Sequence, residues 1–394
     1  MIERVLAGRL RAMAEKFPVV TVTGPRQSGK TTLCRSVFPG KPYVSLEAPD
    51  TREYALRDPR GFLSGYHAGA ILDEVHRVPE LMSYLQPMVD ETPSRGRFIL
   101  TGSAQFSLLH SLSQSLAGRT ALLELPPMGL EEVRRFPEPP TGLYELIWRG
   151  GYPAVYDRGL DPADWYSNYV TTYLERDVRS ILNVGDLMAF QTFLRLAAGR
   201  VGQVINLSSL GADTGISHNT ARSWLSVLEA GYVAWRLPPW HANVSKRLIK
   251  MPKLHFYDTG LVCYLLGIRS ADQLRDHPLR GALFETWVAG EILKARAHRG
   301  LPPSMSFYRD SRGQEVDVVL DLGREVLAIE AKSGETVAQD FFASLEGFAE
   351  LVSGTRRPPG VRKFVVYGGT EPQSRSSATV IPWSRMDQAK WSDV

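Results

Sequence analysis

A glycine-containing loop lies between an apolar run and a helix-like segment, and this arrangement constrains the fold more than any other feature. The apolar run covers residues 19–22, and the loop and helix start cover residues 24–32. Two glycines let the backbone turn tightly so that successive N–H groups face an anion, while Lys30 adds a positive charge and the Thr31 hydroxyl can bind Mg²⁺. We therefore predict a nucleoside triphosphate site formed by Gly24, Gln27, Ser28, Gly29, Lys30, Thr31 and Thr32.

A second apolar run, residues 70–72, ends in two acids, Asp73 and Glu74. Ligands of open α/β sheets bind at the carboxyl ends of the strands, so both acids are expected beside the loop. Asp73 is predicted to hold Mg²⁺ through water, and Glu74 to orient and deprotonate the attacking water. The alternative is a buried strand whose terminal acids have no role in catalysis.

A third apolar run, residues 98–100, leads into the sequence Thr101-Gly102-Ser103. Small polar side chains just past a central strand can contact the γ-phosphate and report its hydrolysis. Thr101 and Ser103 are therefore sensor candidates, although the same three residues also form ordinary turns.

Arg119 follows a segment of small and polar residues and precedes a predicted strand at residues 121–125. An arginine finger stabilises charge on the transferring phosphoryl group, often from a neighbouring subunit. Arg119 is the candidate for this role, and a surface or salt-bridge arginine is the alternative.

The loop, the Ile-Leu-Asp-Glu strand end, the Leu-Thr-Gly-Ser turn and the Leu-Ala-Gly-Arg segment together resemble the AAA+ superfamily. The chain is most similar to a widespread prokaryotic ATPase family whose C-terminal domain has long lacked an assigned function. This resemblance implies an N-terminal ATPase core that binds ATP and Mg²⁺. The chain departs from many AAA+ proteins at the sensor, where Thr101 or Ser103 replaces an asparagine.

Composition favours a soluble globular protein, since 43% of the 394 residues are hydrophobic and 22% are charged. The N-terminus lacks a charged start followed by an apolar stretch, and no apolar run is long enough to span a bilayer. A cytoplasmic location without membrane contact is therefore expected. The two cysteines, Cys34 and Cys263, have no metal-ligand spacing and are expected to be reduced thiols.

The middle of the chain has a helix-turn-helix pattern: residues 207–212 favour a short helix, 214–217 a turn and 218–230 a second helix capped by Ser217. We expect His218, Asn219, Arg222 and Ser223 on its polar face and Ala221, Trp224, Leu225 and Leu228 facing inward.

Residues 195–255 contain eight Lys or Arg and two acids, which is consistent with a DNA surface. The second helix would enter the major groove and residues 233–237 would form a wing. The phosphate contacts are predicted for Lys246, Arg247, Lys250 and Lys253. A packing or subunit-contact role of the same motif is the alternative.

Two apolar patterns near the C-terminus carry Asp317 and the sequence Glu330-Ala331-Lys332. Alternation along a strand puts Glu330 and Lys332 on one face, and neighbouring pairing would bring Asp317 close to them. The two carboxylates would bind Mg²⁺ for phosphodiester cleavage, and Lys332 would stabilise the developing charge. This arrangement is similar to the PD-(D/E)xK nuclease-like fold, which implies Glu285 as a helix acid. A strand pair with alternating charges on its wet face is the alternative.

The predicted fold class is α/β, with a P-loop AAA+ parallel-sheet core at residues 1–140, a helical and winged-helix middle at 141–255 and a restriction-endonuclease-like α/β domain at 256–394. Within the middle, Glu175-Arg176-Asp177 resembles a signature of the same ATPase family, and a structural ion-pair role is expected.

The first functional hypothesis is an oligomeric, ring-forming motor that binds DNA, branched or double-stranded, and remodels or translocates it. The alternatives are a Mg²⁺-dependent endonuclease gated by ATP, and a nucleotide-dependent signalling switch that acts on protein partners.

Overall fold

The computed structural model describes residues 2–91, 94–103, 115–174, 186–241, 251–355 and 358–391. They form two compact units. Unit 1 comprises Met1–Met128, Ala230–Tyr232 and Ala297–Leu301, and unit 2 comprises Gly129–Glu229, Val233–Arg296 and Pro302–Val394. The division into three domains stays a prediction.

Unit 1 contains a five-stranded sheet in the order β2-β3-β4-β1-β5, in which every pairing is parallel. This sheet confirms the predicted α/β class. Its strands are β1 (Val19–Thr23), β2 (Tyr43–Ser45), β3 (Ala70–Asp73), β4 (Phe98–Gly102) and β5 (Thr120–Glu124). Its helices are α1 (Leu6–Ala14), α2 (Lys30–Val37), α3 (Pro49–Arg57), α4 (Pro59–Ser64) and α5 (Leu81–Glu91), with a 3₁₀ turn at Val75–Arg77.

The central strands β1, β3 and β4 are buried along their whole length because both faces of the sheet are covered. On β3, Ala70 and Leu72 belong to one buried cluster and Ile71 to another, as alternation along a strand requires. Because β3, β4 and β1 are neighbours and parallel, their carboxyl ends meet at one edge of the sheet. The predicted loop and acids lie at that edge.

Unit 2 begins with helices and a short hairpin. Its helices are α6 (Leu130–Val133), α7 (Leu143–Arg149), α8 (Pro153–Asp157), α9 (Pro162–Tyr169), α10 (Leu187–Ala198), α11 (Leu207–Thr214), α12 (His218–Ala230), α13 (Thr259–Leu265), α14 (Ala271–Arg275) and α15 (Arg280–His298). The hairpin strands β6 (Ala234–Leu237) and β7 (Lys253–Phe256) are antiparallel.

The rest of unit 2 is a six-stranded mixed sheet in the order β12-β13-β11-β10-β9-β8. Its strands are β8 (Met305–Arg309), β9 (Glu315–Asp321), β10 (Glu325–Lys332), β11 (Gly360–Tyr367), β12 (Gln373–Ser374) and β13 (Thr379–Pro382), and helix α16 (Ala343–Ser353) follows β10 in the chain. Because β9 and β10 pair directly and antiparallel, their polar side chains are brought together. The described helices include none that is long and apolar enough to span a membrane.

Candidate functional site

The loop after β1 turns sharply at residues whose conformations suit glycine. Gly24 has φ 145° and Gly29 has φ 92°, in the region that L side chains rarely adopt. A Cβ atom on Gly24 would lie 2.2 Å from the carbonyl oxygen of Leu125, so a larger residue does not fit there. Lys30 is the first residue of α2, and the loop therefore delivers the chain to a helix N-terminus, where backbone N–H groups attract anions.

Lys30 folds over this loop. Its Nζ donates hydrogen bonds to the carbonyl oxygens of Gly24 (3.0 Å) and Pro25 (2.7 Å). Burial lowers the pKa of Lys30 to about 8, although the nearby carboxylates of Glu74 and Asp73 act in the opposite direction. A buried ammonium that is held by neutral carbonyl groups is a favourable partner for a phosphate anion.

Ser28 in the same loop has a buried Oγ that makes no hydrogen bond within the described part of the chain. Its carbonyl oxygen accepts a hydrogen bond from the buried guanidinium of Arg4, which also donates to the carbonyl oxygen of Pro126. Sequence reasoning missed Arg4, because nothing local signals a contact across 24 residues. The orphaned hydroxyl and the lysine both fit a triphosphate.

Asp73 accepts hydrogen bonds from three hydroxyl groups at the carboxyl edge of the sheet. Thr31 donates to Oδ1 at 2.9 Å, Tyr43 donates to Oδ2 at 2.8 Å, and Thr101 donates to Oδ1. Burial and the hydrogen bond to Asp73 raise the pKa of Tyr43 to about 12, so its hydroxyl stays a donor. The Thr31 hydroxyl and the Asp73 carboxylate together fit Mg²⁺, which prefers oxygen ligands.

Glu74 has φ 57°, a left-handed conformation that is uncommon outside glycine. Its N–H donates to Thr101 Oγ1 at 3.3 Å, and its Oε2 accepts a hydrogen bond from Ser103 at 3.4 Å. His76 Nδ1 lies 3.0 Å from the same Oε2. Burial raises the pKa of Glu74, but His76 and the positive charge of Lys30 outweigh it and lower the pKa to about 2. The carboxylate is therefore ionised at neutral pH.

Arg119 lies at the opposite edge of the sheet from the loop. The next residue, Thr120, pairs with Val19 at the start of β1, whereas the loop follows the end of that strand. A five-residue strand separates the two edges by about 13 Å. The guanidinium forms a two-pronged ion pair with Asp90, with distances of 2.6 and 2.9 Å. The structure thus does not bring Arg119 to the loop of its own chain.

The C-terminal candidates Asp317 and Glu330 lie on the adjacent strands β9 and β10. With Glu285 on α15 and Glu315 on β9 they form a group of four carboxyls, the acid cluster. Lys253 Nζ lies 2.7 Å from Glu285 Oε1 and 3.5 Å from Asp317 Oδ1 and contacts Glu315. The predicted phosphate contact of Lys253 is wrong, because only 2% of this residue is exposed.

Glu330 and Lys332 lie on the same face of β10, and Lys332 Nζ is 2.7 Å from Glu330 Oε1. The other oxygen of Glu330, Oε2, is buried without a hydrogen-bond partner among the described residues. Burial and the Asp317 carboxylate raise the pKa of Glu330 to about 8. Burial and Asp317 also raise the pKa of Glu285 well above its usual range.

The helix-turn-helix pattern corresponds to α11 and α12, and the Ser217 hydroxyl accepts the N–H of Thr220 at 3.1 Å as the predicted cap. The turn contains Gly215, with φ 79°. Four side chains of α12 are buried as predicted: Ala221, Trp224, Leu225 and Leu228. Three predicted polar residues are exposed, namely His218, Asn219 and Arg222, while Ser223 is half-buried. Lys246, Arg247, Lys250 and the sequence Glu175-Arg176-Asp177 lie outside the described residues.

Three family models match separate parts of the chain. Residues 16–134 match the model of an AAA domain, and residues 141–272 and 280–386 match two domains of unknown function, DUF8612 and DUF4143. The uncharacterized proteins Rv2008c of Mycobacterium tuberculosis and Mb2031c of Mycobacterium bovis are each 33% identical over 340 residues, which is 84% of this chain and 74% of theirs.

Among solved structures, the Walker-type ATPase PABY2304 of Pyrococcus abyssi is 16% identical over 66% of this chain and 94% of its own, with a TM-score of 0.46. AMPPCP-bound DnaA from Aquifex aeolicus is 12% identical over 57% of this chain and 86% of its own, with a TM-score of 0.30. The AAA-domain match, the parallel sheet and the loop at its carboxyl edge identify an AAA+ P-loop ATPase. The chain therefore belongs to the same family as the mycobacterial proteins Rv2008c and Mb2031c, and its N-terminal part is an ATP-binding and ATP-hydrolysing AAA domain.

Proposed function

We propose that the protein is an ATP-driven motor that binds and remodels or translocates DNA as a ring-shaped oligomer. The main support for DNA binding is the exposure of one face of helix α12. This helix presents His218, Asn219 and Arg222 to solvent and packs its apolar face inside unit 2. A helix that is exposed on its polar face after a tight turn matches the docking geometry of helix-turn-helix proteins.

In the nucleotide site, the N–H groups after Gly24 and the ammonium of Lys30 would hold the triphosphate. Thr31 and Asp73 would hold Mg²⁺, which offsets phosphate charge when it is bound. Glu74 would orient and deprotonate the attacking water, since its carboxylate is ionised and lies beside Lys30. Thr101 and Ser103 would act as sensors, because each contacts one of these two acids.

Arg119 would act in the nucleotide site of the neighbouring subunit. Support comes from the sheet polarity, because a residue at the amino edge of β5 is too far from its own loop. The ion pair with Asp90 is partly exposed, with 34% and 45% of the two side chains accessible, and such pairs contribute little stability. Arg119 can therefore exchange Asp90 for a phosphate at small cost.

The charge around α12 also favours an anionic partner. The two acids of the basic stretch at 195–255 are already paired, Asp213 with Arg200 and Glu229 with Arg236. Arg222 is exposed and would meet DNA phosphates or bases without competition from these acids.

Fluorescence anisotropy with a labelled DNA duplex tests the DNA role. We expect wild-type protein to bind with an affinity that falls as salt rises, because phosphate contacts release counterions. Arg222→Ala should weaken binding by about fivefold to a hundredfold, as for loss of a base or phosphate contact. Arg60→Ala, which removes an exposed arginine of unit 1, is the matched control and should bind as wild type does. Unchanged binding by Arg222→Ala would contradict the role of α12.

The motor role is tested separately with a branched DNA substrate in the presence of ATP and Mg²⁺. Strand separation or branch movement that is lost in Lys30→Ala supports the motor. DNA cleavage that is lost in Asp317→Ala would favour the gated endonuclease, and ATP hydrolysis with no DNA binding at low salt would favour the signalling switch.

A further inference from the structure

The acid cluster of unit 2 contains a cation that belongs to the chain itself. Its four carboxyls come from α15, β9 and β10, and the ammonium of Lys253 on β7 lies among three of them: Glu285, Glu315 and Asp317. The fourth, Glu330, is paired with Lys332. Both lysines thus have carboxylate partners within unit 2.

The backbone of Lys253 is held on both sides, which positions its side chain. Lys253 pairs with Leu237 of β6 on one side and forms a bridge with Val204 on the other. Leu254 N–H donates to the carbonyl oxygen of Gln203 at 2.9 Å. The ammonium also lies 5.4 Å from the centre of the Phe307 ring, a cation–π distance.

This arrangement does not fit a divalent cation held by the carboxylates of β9 and β10. Asp317 Oδ2 accepts the N–H of Ala331 at 2.9 Å, and its Oδ1 faces Lys253 at 3.5 Å. Glu330 Oε1 is directed at Lys332. An ion placed between these carboxyls would be repelled by a buried ammonium a few ångströms away, in surroundings that screen charge poorly.

We propose that Lys253 is the resident cation of the acid cluster and takes the place that a divalent metal occupies in a nuclease of similar fold. The C-terminal sheet then folds and functions without a metal and does not cut DNA by metal-assisted hydrolysis. This inference is independent of the proposed motor, because it uses no residue of the nucleotide site or of helix α12. It also gives Lys253 a role that the basic stretch at 195–255 does not suggest.

Binding of Mn²⁺, a spectroscopically visible substitute for Mg²⁺, tests this proposal in the nucleotide-free full chain. The Asp73→Asn background removes the acid that would bind an ion beside the loop. Electron paramagnetic resonance then counts free and bound Mn²⁺ during a titration. We expect no bound Mn²⁺ in this background and no change of its melting temperature on addition of Mn²⁺ or of a chelator. Bound Mn²⁺ that disappears when Asp317→Asn is added would overturn the proposal.

Replacement of the lysine supplies the reverse test. In the same background, Lys253→Met leaves the carboxyls of the acid cluster without Lys253. We expect this variant to bind one Mn²⁺ ion, and we expect its melting temperature to rise when Mn²⁺ is added. Lys363→Met, which changes a lysine on β11, is the control and should gain neither.

The Lys253→Met chain could fail to fold because it leaves buried carboxylates unpaired. The double variant Lys253→Met/Glu315→Gln is then measured, since it removes one charge of each sign and keeps Glu285, Asp317 and Glu330. A folded variant of either kind that binds no Mn²⁺ would show that Lys253 is not what excludes the metal.

Discussion

Glu74 combines a left-handed backbone conformation with a carboxylate that stays ionised although it is largely buried. A non-glycine residue in this conformation costs about 1–3 kcal/mol and persists only where its surroundings enforce it. Here the enforcing contacts are the hydrogen bond from its N–H to Thr101 and the approach of Ser103 and His76 to its carboxylate. Strain of this kind is typical of a side chain that must point at a reacting group.

Glu74→Gln should therefore abolish most ATP hydrolysis while ATP binding is kept. A general base contributes about 10²–10⁴-fold to a rate, and the amide keeps the shape of the side chain but cannot accept the proton. Steady-state phosphate release and the binding of a fluorescent ATP analogue measure the two effects. Glu80→Gln, at an exposed nearby position, is the control and should match wild type. A Glu74→Gln enzyme with wild-type turnover would remove Glu74 from the mechanism.

His255 makes the stability of unit 2 depend on pH. It is fully buried, and burial together with the charge of Lys253 lowers its pKa from 6.5 to about 3. Its Nδ1 lies 3.0 Å from Thr286 Oγ1 and its Nε2 3.9 Å from Glu285 Oε1. Between pH 6.5 and 3 the unfolded chain binds a proton that the folded chain does not, so stability falls as the pH falls.

Within that window His255 should contribute a loss of about 1.4 kcal/mol per pH unit. Urea unfolding at a series of pH values, compared between wild type and His255→Gln, measures this contribution. We expect the variant to lose stability less steeply below pH 6.5, even if it is less stable at pH 7. Parallel profiles would show that His255 has an ordinary pKa in the folded protein.

At the scale of elements, α12 depends on a cap and on aromatic packing. Trp224 makes edge-to-face contacts with Phe190 and Phe193 of α10, both at 5.4 Å between ring centres. At its N-terminus the Ser217 hydroxyl accepts the Thr220 N–H, which would otherwise lack a partner in the helix. The cap and the packing together present the exposed residues of the helix in a defined orientation.

Ser217→Ala should cost about 1 kcal/mol of stability, the usual value for loss of an N-cap. Ser223→Ala, inside the helix, is the control and should change the free energy of unfolding by no more than about 0.5 kcal/mol. Chemical denaturation of the two variants distinguishes these outcomes. Equal effects at the two positions would mean that the cap contributes nothing to α12.

At the scale of the whole molecule, the parallel sheet separates the nucleotide loop and its acids from Arg119, the proposed arginine finger. The loop and acids lie at its carboxyl edge, while Arg119 lies at its amino edge. Arg119 therefore lies away from the loop of its own chain, and in the proposed ring it would act in the site of the next subunit.

A mixture of two inactive variants tests this sharing. Arg119→Ala keeps an intact nucleotide site, and Glu74→Gln keeps an intact Arg119, so mixed rings would contain complete sites. Alone, Arg119→Ala should hydrolyse ATP at least about a thousandfold more slowly than wild type. Glu74→Gln alone should be at least about a hundredfold slower than wild type. The mixture should recover part of the activity. Asp90→Asn, which breaks the ion pair but keeps the arginine, should stay active. A mixture that exchanges subunits without recovery would place Arg119 outside the shared site.

The nucleotide loop, the strand that ends in Asp73 and Glu74, and the helices α11 and α12 were predictable because their signals are local. A phosphate loop needs glycines and a lysine at fixed spacing, and a buried strand needs consecutive apolar residues. A capped helix needs a residue such as serine before its first turn, and Ser217 is that residue here. The same local signals placed Asp317 and Glu330 on two strands, and direct pairing of β9 with β10 brought their carboxyls together.

By itself the sequence determined which residues could bind phosphate and which strands carry acids, because backbone conformation and burial are encoded over short spans. Only the tertiary structure decided which side chains meet. Tyr43 reaches Asp73 because β2 lies beside β3, Arg119 is separated from the loop by the length of a strand, and Lys253 lies among acids from α15 and β9. The contacts of Tyr43 and of Lys253 join residues 30 or more positions apart. Strand order and packing create such contacts, and neither leaves a local pattern in the chain.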